Sequence, residues 1–194
     1  MKKEFFEFLL RHRIFLIGIL AILVLSPPSS SSSKSQPRLK VMASLFPLQE
    51  FARAVGGDRI QATLLLPPGA EGHTWEPKPS DVVKIMQADV FIYIGPSMEP
   101  WVDKVLKTVQ AKDLRVVEAS RGLPLLEAED RGGKIKGGPS EKLDPHVWLD
   151  FTLDLKIVDA IAVAFSEKDP THAPSYRNNA EDYKAKLREL DRKY

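Results

Sequence analysis

Two histidines carry the most chemistry in this sequence. His73 stands in the middle of PPGAEGHTWEPKPSD, residues 67–81, a stretch with four prolines and two glycines. Prolines fix φ and glycines permit unusual values, so the segment reads as a stiff, shaped loop. Such a loop can hold out a side chain with little entropy left to lose. His146 stands in LDPHVWLD, residues 143–150, directly after a proline that restrains its backbone. A neutral imidazole can give a ring lone pair to a divalent metal. A carboxylate beside it can orient the ring by accepting from the other nitrogen. Asp144, Asp150 and Glu76 are the candidates for that role, and Asp144 and Asp150 also read as turn or helix-cap residues. A separation of 73 residues is no local metal-site spacing. Two readings therefore stay open: a pair of loop histidines bonded to backbone, or one shared site. His12 and His172 read as ordinary surface residues, the second in an exposed interhelix turn.

The elements that must position the two loops alternate between strand and helix. Residues 39–46 (LKVMASLF), 60–66, 89–95 (DVFIYIG) and 114–117 read as strands, short and apolar. The third is apolar almost throughout, as strands buried on both faces are. Pro47 opens a helix carrying Leu48, Phe51, Ala52 and Val55 at helical spacing, stopped by Gly56-Gly57. Ser80-Asp81 caps a short helix with Val82, Ile85 and Met86, and Pro100 starts another with Trp101, Val102, Val105, Leu106 and Val109. Val147-Trp148-Leu149 reads as a brief buried strand. Asp150 caps a helix with Leu153, Ile157, Ala160, Ile161 and Ala164 on one face. After a break at Lys168-Asp169-Pro170, Pro174 opens a last helix whose Tyr176, Ala180, Tyr183, Leu187, Leu190 and Tyr194 keep 3–4 spacing. Strands separated by helices predict a parallel α/β sheet with right-handed crossovers. In such sheets ligands bind at the carboxyl ends of the strands, which is where the His73 loop lies.

The remaining segments narrow the class. Lys2, Lys3, Arg11 and Arg13 precede an apolar run, residues 14–25, followed by a Ser/Pro-rich stretch. That order describes a secretory signal peptide and spacer over residues 1–38. The run is short of the roughly 20 residues a membrane span needs; with no clean Ala-x-Ala site, an uncleaved anchor stays open. The leader carries a net charge of +4, so the rest of the chain is at −2 and offers no basic surface for nucleic acid. With no cysteine, disulfides, thiolate metal sites and a lipoprotein anchor are excluded. Residues 127–142 are charged and glycine-rich. They lack the Lys-Ser/Thr ending and flanking elements of a phosphate-binding loop.

Four stretches in order, LFPLQEFARAVGGDRI, LLPPGAEGHTWEPKPSD, ADVFIYIGPSMEPW and DPHVWLD, resemble the zinc- and manganese-type solute-binding proteins of ABC transporters. The resemblance covers roughly residues 39–194. It implies a lobe at 39–150 that holds a metal, helices at 151–194 leading into an interlobe linker, and two metal ligands, His73 and His146. Two further ligands in that family come from a second α/β lobe, expected to be absent here. The sequence departs from the family in having no histidine in residues 127–142 and in carrying Phe151 where a proline commonly follows the aspartate.

The expectation is a non-catalytic, periplasmic component that captures a divalent metal and hands it to a permease of the cytoplasmic membrane. Zinc is the first choice, because imidazole suits it and the run Gly95 to Glu99 resembles zinc members; manganese is the alternative. A surface or adhesion module, and a metallohydrolase using Glu76 as base, are the other readings. The last helix, if Tyr176, Tyr183, Leu187 and Leu190 lack a cover, predicts self-association.

Overall fold

The apolar stretches assemble into one parallel sheet in the computed structural model, which describes residues 38–109, 113–127 and 143–194. The leader read at 1–38 lies outside the described residues except for Arg38, and most of the charged segment 127–142 lies outside them too. The strands are β1 (Leu39–Ala43), β2 (Ile60–Leu64), β3 (Val90–Tyr93) and β4 (Arg115–Glu118), in the order β2-β1-β3-β4. All three pairings are parallel. Every residue of β3 is buried, as its uninterrupted apolar sequence requires of an inner strand covered on both faces.

Alternation along the strands divides the core. Val41, Ala43, Val90, Ile92 and Val117 face one side, with α1 (Phe46–Gly56), α4 (Phe151–Lys168) and α5 (Ala173–Asp191). Met42, Phe91 and Tyr93 face the other, with α2 (Pro79–Met86) and α3 (Val102–Thr108). Helices α4 and α5 therefore share the core with α1. Ile157, Ile161, Phe165, Tyr176 and Leu187 all belong to it. The Lys184 ammonium, on α5, sits between Asp159 of α4 at 2.5 Å and Glu181 at 2.6 Å. Asn179 of α5 donates to the Val55 carbonyl at the end of α1. There Gly57 takes a positive φ of 51° and its N–H returns to Arg53, closing the helix.

The structure corrects several local expectations. Val147–Leu149 is a 3-10 turn rather than a strand. Its bonds run locally, Val147 N–H to Pro145 O and Leu149 N–H to His146 O, and it forms no ladder with the sheet. Helix α2 begins at Pro79, with Lys78 as N-cap; Asp81 lies inside its first turn and accepts the Lys78 N–H. Ala160 is exposed, and Val158 and Ala162 face the core instead. His172 is half-buried: its Nδ1 lies 2.7 Å from Asp169 Oδ2, which also accepts the hydroxyl of the fully buried Tyr176. Most of the last helix's apolar stripe is covered within the chain. Tyr176 and Leu187 are 0% and 4% exposed, Tyr183 packs against Phe51, and only Leu190 and Tyr194 stand out. The expected self-association thus loses the surface it was built on. No helix of the described residues is long and apolar enough to cross a membrane.

Candidate metal site

At the carboxyl end of β2 the chain is still tied to the sheet by Leu65 N–H to Ala43 O and Leu66 N–H to Ser44 O. It then enters the proline-rich loop. Gly69 takes the positive φ of 79° that the turn there requires. Beyond it the Glu71 carboxylate accepts two backbone N–H groups, His73 at 3.1 Å and Thr74 at 3.0 Å. The His73 bond is the leading reason that this carboxyl is held below the usual range. Trp75 closes the loop, packing edge-on against Trp101 with ring centroids 5.6 Å apart. These anchors, from Leu65 to Trp75, hold His73 out from the sheet edge.

His146 is held in a similar way. Asp144 Oδ1 accepts its backbone N–H at 2.9 Å and lies 2.6 Å from its Nδ1. An ionised carboxylate only accepts, so Nδ1 carries the proton and Nε2 presents its lone pair. Trp148 packs edge-on against the ring at 5.4 Å. Both histidines thus follow an acid at position −2 that binds the histidine's own backbone. Aspartate is short enough to reach the ring as well, whereas the longer Glu71 spends its second oxygen on Thr74.

The two loops bring the imidazoles together. His73 Nε2 and His146 Nε2 are 3.3 Å apart, with ring planes at 60°. Without a metal, this is the separation of an N–H···N hydrogen bond, with His73 donating to the lone pair of His146. It also equals a coordination chord. Two nitrogens about 2.0–2.1 Å from one zinc and separated by the tetrahedral angle stand about 3.3–3.4 Å apart. Both rings are exposed, so an ion can reach them from solvent.

The other residues singled out in the sequence lie elsewhere. Asp150 caps α4, accepting the Thr152 N–H at 2.8 Å and its hydroxyl at 2.6 Å, and those bonds hold its carboxyl below the usual range. Glu76 is exposed and bonded to neither histidine. Glu71 is the residue that reading from sequence missed. The repeated acid-x-histidine spacing, Glu71 to His73 and Asp144 to His146, was the available signal. Among the described residues, no group of three or more His, Cys, Asp or Glu side chains is placed to hold a metal. A groove of about 760 Å³ runs beside β4 and α4 and is lined by neither histidine. The two histidines form an exposed pair rather than lining a cavity.

Comparison with known proteins agrees with this architecture. Zinc uptake protein ZnuA of Bacillus subtilis is 33% identical over 189 residues, covering 93% of this chain and 59% of that protein. Zinc-binding lipoprotein AdcA of Streptococcus pneumoniae is 33% identical over 169 residues, covering 85% of this chain and 34% of that one. Among solved structures, the metal-dependent lipoprotein YcdH of B. subtilis superposes with a TM-score of 0.71 at 34% identity, over 80% of this chain and 54% of that chain. Zn(II)-bound AdcA of S. pneumoniae superposes with a TM-score of 0.70 at 34% identity, over 81% and 32%. This chain therefore spans less than two thirds of the length of these relatives. The model of the family described as zinc-uptake complex component A, periplasmic, matches residues 41–194, and the chain belongs to that ZnuA family.

Proposed function

We propose that this chain captures a divalent metal ion, zinc in the first place, through His73 Nε2 and His146 Nε2, outside the cytoplasmic membrane, for delivery to an ABC-transporter permease. The 3.3 Å separation of the two nitrogens carries the reading, since it matches the spacing of two imidazoles on one tetrahedral ion. Asp144 supports it by keeping the proton of His146 on Nδ1. Export rests on the basic and apolar leader of residues 1–38. Permease delivery rests on kinship with zinc-uptake proteins. The role is binding rather than catalysis, a reading supported by kinship with zinc-uptake and zinc-binding proteins.

The two imidazoles fill two of the four positions of a tetrahedral ion and leave two to water or other donors. Metal must displace the hydrogen bond between the rings. His73 then needs its lone pair on Nε2 and its proton on Nδ1, a tautomer change that His146 does not need. Calorimetric titration with zinc and with manganese at pH 7.5 and pH 5.5 tests the reading. Zinc should bind more tightly than manganese, and more weakly at the lower pH because protons compete for imidazole. His73→Ala and His146→Ala should each remove most of the heat, and the double change little more, because the two act as one chelate. Retention of zinc binding by His73→Ala, with loss in His172→Ala, would place the site elsewhere.

A further inference from the structure

Glu99 is a buried acid for which capturing metal at the two histidines has no direct use. It is 2% exposed, and its carboxylate collects three donors. Oε1 accepts the Ser44 hydroxyl and the Ile94 N–H at 3.2 Å, and Oε2 accepts the Gly95 N–H at 3.0 Å. Those partners lie just past the ends of the two inner strands, β1 and β3. We propose that Glu99, acting with Ser44, is a positioning residue that sets His73 against His146. The proposal rests on reading those two histidines as the metal-binding pair.

Two routes lead from the Glu99 carboxylate to His73. The first is through backbone. Ser44, whose hydroxyl Glu99 holds, accepts the Leu66 N–H on its own carbonyl, and Leu66 is the last residue before the proline-rich loop. The second is through packing. A Cβ added at Gly72, the residue before His73, would meet Leu45 Cδ2 and Met98 Sδ, each at 3.5 Å. Leu45 follows Ser44 and Met98 precedes Glu99, and both are buried. The floor beneath Gly72 is therefore made by the immediate neighbours of the two residues that share the bond. The segment carrying Glu99 has no slack: Met98 and Glu99 both donate backbone N–H groups to the Gly95 carbonyl, and a Cβ on Gly95 would collide with Ser120 Oγ. A shift of Glu99 or Ser44 thus moves the floor under His73, while His146 hangs on Asp144 in a different loop. The 3.3 Å chord depends on one loop keeping its height relative to the other.

Glu99→Gln keeps the shape but turns an amide NH₂ toward either the Gly95 N–H or the Ile94 N–H, so donor meets donor. In this variant zinc affinity should fall at least tenfold, and the ring-to-ring nuclear Overhauser contact between His73 and His146 in the metal-free chain should disappear. Ser44→Ala removes one of the three bonds, should stay folded, and should lose affinity about threefold. Asp154→Asn, also a change at a buried acid, should leave both readouts unaltered. In the His73→Ala background, Glu99→Gln should change residual zinc binding less than twofold, because its effect passes through His73.

A tenfold loss in that background would mean general loosening and would overturn the proposal. So would an unchanged ring contact and affinity in Glu99→Gln. Should Glu99→Gln fail to fold, Ser44→Ala carries the same test, and wild-type affinity with an intact ring contact there overturns the proposal. Failure of the wild-type chain to bind zinc would overturn the metal reading alone. The ring contact, which needs no metal, would still decide the role of Glu99.

Discussion

Asp154 offers a stability test whose sign is set by the structure. It lies in the first turn of α4, 2% exposed, and its Oδ1 is buried without a hydrogen-bond partner. Burial, and then the charge of Asp150 one turn earlier, push its carboxyl from the ordinary 3.8 up to about 7. Tyr183, whose hydroxyl is itself raised by burial, also feels the charges of Asp154 and Glu50. Between about pH 4 and pH 7 the folded chain holds a proton that the unfolded chain has released. The contribution of this group to stability is therefore fully present below about pH 4. It declines as the pH rises and is gone above about pH 7. At about 1.4 kcal/mol per pKa unit the whole swing is about 4 kcal/mol, of which about 3 kcal/mol falls between pH 5 and pH 8. Asp154→Asn keeps the shape and cannot ionise. Urea unfolding of both proteins at pH 5 and pH 8 isolates the effect, because all other titrations cancel in the difference. Wild type should lose about 3 kcal/mol relative to the variant over that interval. Equal pH slopes in the two proteins would mean that Asp154 does not hold a proton in the folded chain.

Three further outcomes are expected. Asp144→Ala should weaken zinc binding by about 10- to 100-fold, the usual cost of losing a carboxylate that orients a histidine ligand; Asp144→Asn, which keeps an accepting oxygen, should lose less, as parallel titrations will show. Leu187→Ala should cost about 2–5 kcal/mol in urea unfolding as a core truncation, while Leu190→Ala, at 39% exposure, should cost less than about 1 kcal/mol. Zinc should alter tryptophan emission chiefly through Trp148, whose ring touches that of His146, so Trp148→Phe should abolish most of the response and Trp75→Phe should not.

The fold was legible because its signals are local. DVFIYIG at residues 89–95 has no polar side that could face water, and the stripes of α1, α4 and α5 recur at helical spacing, so an α/β sheet follows from pattern alone. The turn at Val147–Leu149 was not legible, since three apolar residues fit a strand or a tight turn equally well; Pro145 and Asp144 decide it through local bonds. The stripe of α5 identified itself as buried but not what buries it, and the cover proved to be α1 and α4. At the site, proline, glycine and histidine mark both loops in the sequence, and the acid two residues before each histidine was legible as a repeated spacing. Glu99 acts on backbone N–H groups, which every residue possesses, so no side-chain pattern announces those partners. Asp154 sits at a position of α4 where the apolar period would place a hydrophobe, and that breach of pattern was its only mark in the sequence.

Binding of one metal ion by His73 and His146 through Nε2 can be observed at the ring nitrogens themselves. The most direct measurement is a long-range proton–nitrogen spectrum of the imidazoles in the ¹⁵N-labelled chain, recorded while zinc is added. Before zinc is added, the Nδ1 of His146 should carry the proton that faces Asp144. At saturation the Nε2 signals of His73 and His146 move together into the metal-bound range, while those of His12 and His172 stay in place. Movement of His172 instead, or of only one of the two loop histidines, would contradict binding of one ion by the pair.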